Sequence, residues 1–256
     1  MRDARGLPGS SCLWRAPGLG RDGEDRLVVR DDPAMNRRRL TGAVLGAGAV
    51  VTYRAFVRPW HERWGATDDE VHVRLAGDDL VAEPAEQCTR AISIGAPREA
   101  VWPWVVQIGA DRGGFYSYDW LENLFGLGIH SADRVVPEWQ QRTVGDLVYA
   151  TADGSGGWYV MEVRPNDVLV LKVANVKAGR PTTRDELARW EFVWTFALRE
   201  GPNGTTRLLV RERTGYGSRI TQLAMAPVGL VSFVMTRRMM LGLKARVEAA
   251  SPQPTA

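Results

Sequence analysis

The chain has 256 residues, 45% hydrophobic and 25% charged, which suits one globular domain of ordinary size with extensions, or two small ones. Its 33 basic and 30 acidic residues leave a net charge of +3, and beyond Arg37, Arg38 and Arg39 the positive charge forms no block, so no nucleic-acid partner is expected. Two cysteines (Cys12, Cys88) and three histidines (His61, His72, His130) show no metal-ligand spacing, which argues against a recognisable zinc site and against a disulfide framework.

Residues 1–34 hold Pro8, Pro17 and Pro33 among glycines and mixed charges without apolar periodicity, and read as a disordered leader. Met35 opens a stretch that looks like a start in its own right, so either Met1 or Met35 can be the true start. Within residues 35–60 the run from Leu40 to Tyr53 is uncharged, and Ala55-Phe56-Val57 extends it past Arg54. Fourteen residues are short of the roughly 20 that a span needs, but a snorkelling Arg54 would lengthen the run. The expectation is a single N-terminal helix that anchors the chain to a membrane. A signal peptide cleaved after Ala47-Gly48-Ala49 and a short buried helix are the alternatives. Arg37, Arg38 and Arg39 precede the run and Arg54, Arg58 and Arg63 follow it, so the side of the membrane stays open. Residues 61–86, polar and acid-rich with Pro84, read as a linker.

The packed domain is placed at residues 87–250, with 251–256 as a tail. Thr89 to Ile94 reads as a first strand. A helix follows Pro97, with Val101, Trp104, Val105 and Ile108 on one face and a kink at Pro103. A second helix begins near Ser117, its apolar stripe formed by Trp120, Leu121, Leu124 and Phe125, and ends at Gly126. Strands are predicted at 144–150, 158–163 and 168–174, the last two joined by Arg164-Pro-Asn-Asp. A long polar loop occupies 175–189. Trp190, Phe192, Trp194, Phe196 and Leu198 share one face of the clearest strand, and burying that face is worth on the order of 10 kcal/mol. Gly201-Pro-Asn-Gly turns the chain into a last strand, 206–214. Residues 228–248 form a helix apolar nearly all round, which is either buried or in a membrane; Gln222, Pro227 and Gly229 favour burial.

This order gives an α+β domain. It resembles bacterial START-like (SRPBCC, helix-grip) proteins in the kinked Val101-Trp-Pro-Trp-Val-Val-Gln-Ile-Gly109, in Gly113-Gly-Phe-Tyr-Ser-Tyr-Asp-Trp-Leu-Glu-Asn-Leu124, in Ile129-His-Ser-Ala-Asp133 and in Val144-Gly-Asp146. The resemblance covers about 160 residues. It implies a curved antiparallel sheet wrapped around the long C-terminal helix, with a cavity between them, and many relatives of this type carry an N-terminal anchor. The superfamily spans lipid carriers, polyketide cyclases and hydroxylase subunits, so the resemblance specifies fold far better than function. The metal-binding and Rieske motifs of its catalytic members are missing from this sequence.

Phosphate-binding glycine loops, a Gly-x-Ser-x-Gly elbow and a convincing Cys-His pair are also missing, and no cofactor is expected. The segment 115–133 concentrates Tyr116, Tyr118, Asp119, Glu122, Asn123, His130 and Asp133. His130 and Asp133 can form an oriented base, or these groups can simply cap helices and tie down a loop. In the last strand, alternation turns Glu212 inward with Leu208 and Val210; the opposite register would bring Arg211 and Arg213 inside instead. An inward Glu212 needs donors, and Tyr116 and Trp194 are the first expected.

The function expected is a membrane-tethered protein that binds a lipid or another hydrophobic small molecule, without turnover. Its expected site comprises Tyr116, Tyr118, His130, Trp158, Trp190, Phe192, Trp194, Glu212 and Met235. The alternatives are a polyketide cyclase/dehydrase-like enzyme that uses Tyr116, His130 or Glu212 as acid-base groups, and a structural envelope protein whose core is filled by its own side chains.

Overall fold

The computed structural model describes residues 33–251, apart from Phe125 and residues 184–189. The disorder expected of the leader, and part of the loop expected at 175–189, therefore lie outside the described residues. The chain divides into two compact units, Met1–Gly48 and Ala49–Ala256.

Helix α1 runs from Pro33 to Thr52, continues through a π-helical turn at Tyr53–Val57 and passes into the short α2 (Arg58–Glu62). The N-terminal membrane anchor is not supported. Among the described residues, the helix long and apolar enough to cross a membrane is the C-terminal one, and α1 is not. The reason lies in its composition: three arginines occupy its first half, and the uncharged remainder is diluted by Gly42, Gly46 and Gly48.

After α3 (Asp68–His72), one antiparallel sheet forms from β1 (Glu86–Ile94), β2 (Leu147–Tyr149), β3 (Gly157–Arg164), β4 (Val168–Asn175), β5 (Arg180–Pro181), β6 (Trp190–Glu200) and β7 (Thr206–Tyr216). Its spatial order is β1-β7-β6-β4-β3-β2, with β5 paired to β4. Helices α4 (Arg98–Val106) and α5 (Asp119–Leu124) lie between β1 and β2 in sequence, and α6 (Arg219–Ala250) closes the chain. The fold is α+β with the helix-grip arrangement: α6 packs against β1, β7 and α4 on the face that carries the aromatic residues of β6.

Strict alternation on β6 sends Trp194, Phe196 and Leu198 into the main core, where they meet Ile94, Val105, Leu208, Val210 and, from α6, Met240 and Leu243. Helix α6 does this with its C-terminal half. From Phe233 to Val247 its inward residues are buried, whereas Ile220 and Leu223 in its first turns are 82% and 76% exposed. Gly242 allows the close approach on this side, because a Cβ there would strike the backbone of Tyr116.

The opposite face of the sheet is buried as well. Residues 61–86, expected as a linker, are folded onto it: Leu75 and Val81 form a second core with Ala91, Val170, Val193 and Leu209. Helix α3 is set by a capping box between Thr67 and Glu70. Gly77, at φ +82°, passes so close to the sheet that a Cβ would overlap Val170. Arg211 (1% exposed) locks the segment down, donating to Asp78 at 2.8 Å and to the carbonyls of Glu70, Val71 and Val73 at 2.8–3.0 Å. Arg207 grips both carboxylate oxygens of Glu70, at 2.7 and 2.8 Å.

Candidate functional site

A cavity of about 310 Å³ opens between the sheet and α6. Its aromatic wall combines Trp158 of β3 with Phe192 and Trp194 of β6, and Phe115 joins them from the loop after α4. The rings touch one another: Phe115 stands edge-on to Trp158 at 5.9 Å, and Trp158 and Trp194 lie 5.5 Å apart. Met235 and Met239 of α6 supply a deformable apolar wall opposite them. The indole nitrogens of Trp158 and Trp194 are buried with no hydrogen-bond partner among the described residues.

Glu212 points into this interior, and its register with Trp194 and Cys88 follows from the alternation of β7. Its donors are not Tyr116 and Trp194. Arg90 of β1, fully buried, reaches Oε1 at 2.8 Å, while Thr236 and Ser232 of α6 donate to Oε1 and Oε2 at 2.7 and 2.8 Å. Arg90 is held in turn by the carbonyl of His61 at 3.0 Å and lies over the ring of Phe233. The negative charge of Glu212 is thus neutralised and its oxygens are occupied. Arg211 and Arg213 are on the outer face.

Glu122 is the second carboxylate of the cavity, and it stands alone. It is 4% exposed, no cation approaches it among the described residues, and its Oε2 is buried without a partner. Burial, and then the neighbouring charge of Asp119, push its pKa up to about 7. Helix α5 was expected to bury Trp120 and Leu124, but these are 67% and 72% exposed and the acid faces inward. With only six residues, α5 takes its orientation from the loops that flank it. Asn123 clamps the backbone of Ile129 at 2.8 and 2.9 Å, and Asp119 accepts from Ser131 N–H and hydroxyl at 2.8 and 2.6 Å.

Of the residues expected at the site, Trp158, Phe192, Trp194, Glu212 and Met235 line the cavity, and Tyr116, Tyr118, His130 and Trp190 do not. Tyr116 is a structural post: its hydroxyl donates to the carbonyl of Trp104 and accepts from Gln107, both at 3.0 Å, and burial raises its pKa. Tyr118 packs against Trp120 and under Arg238. His130 is exposed, and Asp133 pairs with Arg246 instead of orienting it. Trp190 sits half-buried beside Phe192, at the start of β6. Sequence reasoning named Glu122 within the segment 115–133 but left it out of the expected site, and it missed Ser232 and Thr236; hydroxyls spaced four apart on an apolar helix were the available signal for these two.

Glu122→Gln tests the electrostatics. Because folding raises the pKa of Glu122 from about 4.5 to about 7, the carboxyl favours the folded state most below pH 4.5, and that contribution is lost as pH rises through 7. The variant should match wild-type stability near pH 4.5 and exceed it by about 2–3 kcal/mol at pH 8. Urea denaturation at the two pH values reads the difference directly; equal gains at both would show that Glu122 stays ionised.

No family model matches the chain, and no curated protein matches it either. Solved structures do. A hypothetical protein from Helicobacter pylori aligns at 14% identity with a TM-score of 0.42, covering 68% of this chain and 94% of its own. A structural-genomics protein from Mesorhizobium loti aligns at 16% identity and 0.38, covering 65% and 100%. A structure described as the Aha1 dimer from Colwellia psychrerythraea aligns at 14% identity and 0.36, covering 65% and 99%. Likeness at this level carries no argument about ligand or activity.

Proposed function

We propose that this protein binds an apolar small molecule in the cavity between its sheet and α6 and releases it unchanged. The observation that carries this reading is the cavity itself: about 310 Å³ of space walled by four aromatic rings and two methionines, in a fold that otherwise packs its core with side chains. That volume lies at the lower end of the range for ligand pockets, and empty apolar space of this size costs stability unless it is filled. The structural-protein reading, which needs a filled core, is disfavoured by the same cavity. The acid-base enzyme reading loses the three groups expected to serve it, since Tyr116 and His130 lie elsewhere and Glu212 is ion-paired.

Native mass spectrometry of the full chain tests the proposal. The expected result is an adduct of small-molecule mass that survives gentle ionisation, disappears on denaturation and is lost in Met235→Trp, where the indole fills the cavity. A chain that carries no adduct and takes up no N-phenylnaphthylamine would overturn it.

A further inference from the structure

The charge balance of the cavity selects among apolar ligands. Two carboxylates reach it, and they are not equivalent. Glu212 is neutralised by Arg90 and saturated by the hydroxyls of Ser232 and Thr236. Glu122 has neither a cation nor a hydrogen-bond donor on its side chain among the described residues, although it is almost completely buried. No described lysine or arginine lines the cavity, since Arg90 sits behind Glu212. An anionic headgroup would therefore enter without a counter-charge and beside an acid, which is costly in a low-dielectric interior.

We infer that the ligand is an apolar molecule bearing a protonated amine, whose ammonium group pairs with Glu122 while its hydrocarbon part lies against Phe115, Trp158, Phe192 and Trp194. This rests on the reading of the cavity as a binding site. Both halves of the wall suit such a ligand. Aromatic faces attract a cation within about 6 Å of the ring centre, and more strongly once it is desolvated. The carboxylate left unpaired by the fold gains the partner that every buried charge needs. The raised pKa of Glu122 has the same origin: buried with no cation beside it, the carboxyl holds a proton up to about pH 7 where the bound site would hold an ammonium.

Three probes of one shape test the inference on the full chain by calorimetry at pH 8, where Glu122 is ionised and the amine still charged. They are naphthylmethylamine, its hydrocarbon isostere ethylnaphthalene, and naphthoate. The amine should bind about tenfold more tightly than ethylnaphthalene, as expected for a partly desolvated ion pair with aromatic contacts, and naphthoate should bind most weakly. In Glu122→Gln the ratio of amine to hydrocarbon affinity should collapse towards one. If ethylnaphthalene binds as tightly as the amine, or naphthoate binds best, the amine inference is overturned while the cavity keeps its role. If none of the three binds, the cavity reading falls, and the inference with it.

Discussion

Arg90→Met should destabilise the protein by about 3–5 kcal/mol, the cost of leaving one member of a buried ion pair without its partner. Arg90 is fully buried, and the guanidinium lies 2.8 Å from Glu212, which is itself 5% exposed. Methionine replaces much of the stem but none of the charge, so Glu212 must either take up a proton or remain ionised with only two hydroxyl donors. Glu212→Gln should also destabilise, by about 1–3 kcal/mol, because it strands Arg90. The pair in the double variant Arg90→Met/Glu212→Leu is removed altogether, and the buried space is refilled with apolar atoms. Its loss should be smaller than that of Arg90→Met by itself. A double-mutant cycle in urea decides the matter. Additive effects would mean that the two side chains do not share the buried charge.

Arg211→Leu is expected to have an effect of the same size, about 3–5 kcal/mol, on the other face of the sheet. There the guanidinium joins Asp78, Thr89 and three backbone carbonyls of residues 70–73 in one network. Without it, Asp78 keeps Arg213 at 3.6 Å and the carbonyl of Val71 keeps Gln87 at 3.2 Å, but the carbonyls of Glu70 and Val73 lose their side-chain donor. The segment 61–86 should then lift from the sheet before the rest unfolds. Limited proteolysis at Arg74 under native conditions reads this: the wild type should resist trypsin there and the variant be cut rapidly. A variant that keeps the wild-type cleavage pattern and loses less than about 1 kcal/mol would show that the apolar contacts of Leu75 and Val81 suffice.

These two arginines also mark where the sequence is legible and where it is not. Leu208, Val210 and Glu212 alternate with Arg207, Leu209, Arg211 and Arg213, so the division of β7 between two faces can be read directly. What covers the outer face cannot. Val168-Leu-Val-Leu171 is an uninterrupted apolar run, the pattern of a strand buried on both sides, and it was the available sign that residues 61–86 do more than connect. Their acidic composition pointed the other way, because an acid that grips an arginine looks in sequence like one that faces water. Glu70 and Asp78 are such acids.

The course of the strands and the aromatic face of β6 follow from periodicity, because side chains alternate every two residues on a strand and every 3.6 on a helix whatever surrounds them, and the grip of α6 is what the resemblance to helix-grip proteins implied. The sequence by itself therefore determined the α+β architecture. Tertiary structure decided the rest. Helix α5 is too short for its apolar stripe to set its orientation, so the clamps at Asn123 and Asp119 turn Trp120 outward and Glu122 inward. Helix α1 has too short and too weakly apolar a run to carry the anchor expected of it, and the apolar stretch long enough for a span belongs to α6, whose C-terminal half covers the sheet. The partner of Glu212 lies 122 residues away, on a strand that becomes its neighbour only when the two ends of the domain pair. Pairing between distant charges depends on where the chain brings them, and local sequence carries no trace of it.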